Sequence, residues 1–156
     1  NLSHCGMLAM DTMRMETGYL HWGHDISPEE NQYQAGLQFA ISYKKNVDFI
    51  GKESLLKIKD KKDNKKFVML VLNNSEPGEP LLLHDEPIYH FDNIIGRTTS
   101  GNYSFNFNKN LAFGYINSEL SKQDLAKAEL YIEVEKKKYP ASIILVPLNN
   151  KNIRSI

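Results

Sequence analysis

The chain contains one cysteine, Cys5, so no disulfide can close within it. A surplus charge of either sign is also missing: Lys and Arg total 19, Asp and Glu total 19, and the formal net charge is zero. That excludes a nucleic-acid protein held by bulk positive charge. No apolar run approaches the roughly 20 residues that span a bilayer, and no signal-peptide pattern opens the chain. The phosphate loop, the Gly-x-Gly-x-x-Gly fingerprint and the Gly-x-Ser-x-Gly nucleophile elbow are absent. No self-sufficient catalytic site is legible. Arginine is scarce against a large excess of lysine, which draws attention to Arg14, Arg97 and Arg154 as places where a planar fork of donors matters.

The most unusual stretch runs from Met10 to Ile26. It holds the only Trp, two of the five His and a cluster of Met. Leu2, Cys5, Leu8, Ala9, Met13 and Met15 fall on one helical stripe, with Ser3 as its N-cap and Gly18 just past its end. Cys5 in this stripe reads as a small buried hydrophobe, in keeping with a reducing compartment. Asp11 and Arg14 are spaced to pair. After Gly18 the chain changes to an aromatic and imidazole-rich turn, Tyr19-Leu-His-Trp-Gly-His-Asp. His21 and His24 with Asp25 fall short of a zinc site, which needs three or four ligands in fixed geometry. They are read as turn-forming groups, and no metal is expected.

Further along, Tyr33 to Tyr43 partly alternates and reads as a strand. Asp48 to Lys59 reads as a short helix. Lys57 to Lys66 is a charged run, broken by Asp60 and Asp63, and marks a boundary between units 1–60 and 61–156. From Phe67 the period becomes two. Short apolar segments at Phe67–Leu72, Leu81–Leu83, Ile88–Phe91, Ile94–Ser100, Leu111–Ile116, Glu129–Glu135 and Tyr139–Val146 alternate with polar turns. That pattern predicts an antiparallel barrel or sandwich. The fold class expected is α+β: a helix and turn with a small α/β segment, then a C-terminal antiparallel β-barrel.

Met13-Arg14-Met15-Glu16-Thr17-Gly18-Tyr19 followed by His21-Trp22-Gly23-His24-Asp25-Ile26 resembles a helix and turn of the glycine-cleavage T-protein family of folate-dependent aminomethyltransferases. It is closer to the related C-terminal folate modules of dimethylglycine and sarcosine dehydrogenases. Ala35–Phe39, Asp48–Glu53, Glu86–Ile88, Thr99–Tyr103 and Ala112–Tyr115 continue the match in order. T-proteins often carry a further Arg where this chain has Met10, and the dehydrogenase modules tend to lack it.

The resemblance implies tetrahydrofolate as cofactor, a small N-methylated amine as substrate, and FAD on a separate N-terminal module if the protein is of the dehydrogenase type. The rival readings are a glycine-cleavage aminomethyltransferase and a non-catalytic regulatory module of the same fold. The family's catalytic Asp and pteridine-binding Glu lie upstream of the matched segments. No catalytic residue is therefore assigned here, and the chain reads as an inert C-terminal portion of a longer enzyme. Arg14, Trp22, Tyr103 and Arg154 are the candidate folate-binding residues. Arg14 is equally readable as a structural partner of Asp11, and Trp22 and Tyr103 as packing residues. A cytoplasmic location, or the mitochondrial matrix in a eukaryote, follows from the same resemblance, with no nucleic-acid or membrane partner. The stripe of Leu8, Met13 and Met15, left uncovered, predicts self-association.

Overall fold

From Lys65 onward, apolar side chains recur at every second position, and the strands that carry them close on themselves. In a computed structural model describing residues 2–61, 63–74 and 76–148, six strands form a closed antiparallel barrel. They are β1 (Lys65–Leu72), β2 (Pro87–His90), β3 (Asn93–Ser104), β4 (Lys109–Asn117), β5 (Leu130–Val134) and β6 (Lys137–Ile144). Their order around the barrel is β1-β4-β3-β2-β5-β6, and β6 returns to β1 through pairs such as Leu70 with Ile143. Closure leaves no free sheet edge.

Alternation divides each strand between two cores. Val68, Leu70, Leu72, Ile88, Ala112, Ile116, Leu130, Ile132 and Ile143 fill the interior, with Leu82 and Leu125 closing it. The opposite faces of β1 and β4 present Phe67, Val71, Leu111, Phe113 and Tyr115, which cluster with Met15 outside the barrel. Gly114 allows β3 and β4 to approach: a Cβ there would lie 2.5 Å from the Arg97 carbonyl oxygen. The β5–β6 hairpin turns at Glu135 and Lys136, both at positive φ, as a two-residue primed turn requires.

Helix α1 (Met7–Thr17) packs on β3 and β4. It ends at Gly18, whose φ of 79° suits a left-handed cap, as the sequence predicts. Its start differs. Gly6, not Ser3, is the N-cap, and Leu2 and Cys5 precede the helix and are exposed. The expected stripe is mostly uncovered too: Leu8 is 74% and Met13 53% exposed, and α1 buries only Met15 and Glu16. The helix thus meets the barrel along a narrow line.

Residues 33–43 are not a strand. Asn31 Oδ1 accepts from the amides of Tyr33 and Gln34, Gly36 adopts φ 73°, and Gln38–Ala40 forms one 3-10 turn. Among the described residues one backbone bond joins this segment to a strand, from the Phe67 amide of β1 to the Gln34 carbonyl at 2.8 Å. Helix α2 is shorter than expected, Lys52–Lys59, and buries none of its side chains. Leu81–Leu83 lies outside the strands, with Leu82 buried beneath the barrel and its neighbours exposed. Phe105 and Phe107 sit in the β3–β4 turn. A single helical turn, α3 (Lys122–Leu125), is capped by Ser121, whose Oγ accepts from the Asp124 amide.

Candidate functional site

The helix, the turn and the barrel meet at one carboxylate. Asp25 is 1% exposed and its oxygens accept four hydrogen bonds. Oδ2 takes the Arg14 guanidinium at 2.7 Å and the His21 amide at 2.8 Å. Oδ1 takes the hydroxyls of Thr99 at 2.6 Å and Ser100 at 2.7 Å. Ser100 Oγ in turn accepts from Arg14 at 2.9 Å, which closes the ring. A buried carboxylate costs several kcal/mol unless it is paired and hydrogen-bonded, and here both conditions hold.

Each nitrogen of the Arg14 guanidinium has a partner. Its Nε donates to Asp11 at 2.7 Å, and its other nitrogens serve Asp25, Ser100 and the Tyr19 carbonyl. Its guanidinium also lies over the Phe113 ring, 5.9 Å from the centroid. The pairing with Asp11 read from the spacing is present, and Asp25 is a second partner that the spacing did not reveal. This fork is spent on the protein itself, so its geometry is that of a positioning group.

The bracket holds the turn that carries Trp22. Gly23 at φ 89° closes it by donating its amide to the Ile26 carbonyl. The Trp22 indole is 66% exposed and offers a free aromatic face rather than a core anchor. The His21 and His24 rings stack at 4.5 Å, and the Asp25 oxygens are engaged by Arg14 and Ser100 among others. Tyr103 is buried, its ring edge-on to Phe105 at 5.0 Å, and its carbonyl accepts from Thr12. It lies on β3, three residues beyond Ser100. Arg154 lies outside the described residues. Glu16, 2% exposed, is the buried acid of α1, held by Ser104 at the end of β3 and Asn106 in the β3–β4 turn.

Beneath the turn, a cleft of about 270 Å³ opens against the barrel, lined by residues that include His24, Glu30, Lys65, Arg97, Thr99 and Tyr115. Lys65 bridges to Glu30 at 2.7 Å. Burial pushes the Glu30 carboxyl up, but the Lys65 ammonium and the Ser27 donors outweigh it, and its pKa falls below 4.5. Burial, with the Glu30 and Asp25 charges nearby, pushes the Tyr115 phenol up and keeps it protonated. Motif reading marked Ala112–Tyr115 but gave Tyr115 no role. No local pattern reveals it, because its surroundings come from four separate segments.

Two family models match parts of the chain. That of the "Glycine cleavage T-protein C-terminal barrel domain" matches residues 65–149, and that of the "GCVT N-terminal domain" matches residues 1–45. Human mitochondrial dimethylglycine dehydrogenase is 34% identical over 143 residues, covering 92% of this chain and 16% of that protein. The formaldehyde-forming 4-methylaminobutanoate oxidase of Paenarthrobacter nicotinovorans is 33% identical, over 88% of this chain and 16% of its own length. An aminomethyltransferase of Synechococcus elongatus is 31% identical, over 92% of this chain and 37% of its own length. The chain therefore spans about a sixth of the dehydrogenase and oxidase and under two-fifths of the transferase. The crystal structure of glycine cleavage system aminomethyltransferase T from Bartonella henselae superposes with a TM-score of 0.76 at 24% identity, covering 91% of this chain and 38% of that one, and so shares its fold. With the barrel model matched across more than half its length and the preceding motif in place, this chain belongs to the glycine cleavage T-protein family.

Proposed function

We propose that these residues form the barrel end of a folate-dependent one-carbon enzyme, of the flavin-linked dimethylglycine or sarcosine dehydrogenase type. The observation that supports the reading most is the Asp25 bracket. It spends an arginine, two hydroxyls and a backbone amide on holding one exposed aromatic turn against the barrel. The dehydrogenase type is favoured by Met10 in place of the second family Arg.

Tetrahydrofolate fits this donor set in part. An exposed indole suits the stacking of its flat rings. Arg14 does not suit its carboxylate tail, because each guanidinium nitrogen already has a partner. In this reading Trp22 stacks on the ligand and Arg14 acts through Asp25 to hold Trp22 in place. When bound, tetrahydrofolate supplies the nitrogen that accepts the one-carbon unit. The protein's part is to orient it and shield one face from water, and no catalytic residue is assigned among these side chains.

Trp22 is the only Trp, so its fluorescence reports the event directly. Titration of tetrahydrofolate into folded protein is expected to quench that emission saturably. Arg14→Lys, which lacks the planar fork, is expected to weaken the response. Absence of a saturable change in a folded sample overturns the reading.

A further inference from the structure

The Tyr115 hydroxyl is buried and has no hydrogen-bond partner, and it is alone in this among the buried side-chain polar atoms of the described residues. Tyr115 is 7% exposed and lines the cleft beneath the Trp22 turn. Buried polar groups are nearly always satisfied, so an orphan hydroxyl at a cavity wall marks a missing partner.

What surrounds it defines that partner. Arg97 is the cross-strand neighbour of Tyr115, on β3 against β4, so both side chains stand on the same outer face. Arg97 lines the same cleft. Of its five N–H groups, one is spent on Asp85 among the described residues. The acids near the phenol are already matched: Asp25 by Arg14 and Glu30 by Lys65, both at 2.7 Å. Lys65 also lies over the Tyr115 ring, 5.0 Å from its centroid. Glu29, the third acid of the lining, is exposed to solvent. The buried acids of the cleft are therefore saturated, and its donors are not.

We infer that this cleft is a carboxylate subsite, with one ligand oxygen accepting from Tyr115 Oη and the other from Arg97. The phenol stays protonated because burial and the Glu30 and Asp25 charges oppose its ionisation. It is thus held as a donor. The carboxylate of a small amino acid and the tail of a folate share the chemistry required. The subsite goes beyond the tetrahydrofolate proposal and does not depend on it.

The test is a sodium acetate titration of the whole chain, followed by NMR of the Tyr115 Cζ and the Arg97 guanidinium. Saturable shifts of both signals are expected. Tyr115→Phe and Arg97→Gln should each weaken binding at least tenfold, while their unfolding midpoints show that both remain folded. Acetamide, which offers an oxygen without the charge, should bind at least tenfold more weakly. Absence of saturable shifts, equal binding of acetamide, or acetate binding that survives both substitutions overturns the inference. Comparison of dimethylglycine with p-aminobenzoylglutamate then identifies the source of the carboxylate. Because the readout avoids Trp22, failure here and failure of the tetrahydrofolate titration are separate results.

Discussion

In the barrel, Leu70, Ile88, Leu125 and Ile132 are wholly shielded from solvent. In residues 2–61 the buried side chains are Met15, Glu16, Asp25 and Ala35, and two of those four are acids. The barrel is held by apolar burial and a continuous ladder. The first segment is held to it at a few points, chiefly by a carboxylate and an arginine. Apolar contact is non-directional and tolerates adjustment. A buried ion pair with four hydrogen bonds fixes one orientation, and removing one partner is costly. This chain uses the first kind of attachment to make a scaffold and the second to place a turn on it.

The difference predicts where substitutions act. Asp25→Ala strands Arg14 against Phe113 and frees the turn. It should cost on the order of 3–5 kcal/mol in docking of α1 and the turn. The midpoint followed by Trp22 emission should fall, while the barrel's circular dichroism keeps its midpoint. Leu70→Ala opens a cavity in the interior and should cost about 2–5 kcal/mol, moving every probe together. A Leu70→Ala effect confined to Trp22 would break the comparison.

Acid should loosen the attachment too. The Glu30 pKa is lowered in the folded chain, so its contribution is complete above about pH 4.5 and is lost as pH falls through the lowered value. Lys65→Gln should flatten that loss in unfolding midpoints measured from about pH 5 to about pH 3. The smallest effects belong to the exposed stripe. Leu8→Ser and Met13→Ser should change stability by no more than about 0.5 kcal/mol. They should nonetheless reduce self-association in sedimentation at high concentration, because both side chains lie open.

The strands from Phe67 to Ile144 were legible because a closed barrel buries one face of each strand, and a two-residue period records that directly. Lys65 and Lys66, the first residues of β1, escaped because they are charged, although Lys66 Nζ bonds the Ser118 and Leu120 carbonyls. The helix was legible, but its Met and Leu stripe pointed to a core that this chain does not supply. Residues 33–43 alternate like a strand yet fold as turns, because the Asn31 side chain and Gly36 bend the backbone first. Arg14 stood out from its rarity and its spacing to Asp11. Asp25 did not, since its other partners, Thr99 and Ser100, are more than seventy residues away in sequence. Tyr115 could not be read at all, because what singles it out is a partner it lacks.

The central claim is that a polar bracket, not apolar packing, fastens the Trp22 turn to the barrel. Native-state hydrogen exchange of Asp25→Asn tests it most directly. Loss of protection in α1 and residues 21–26, with β1 and β4 unchanged, is the predicted result. Unchanged protection of the turn, or an equal loss across turn and barrel, would contradict it.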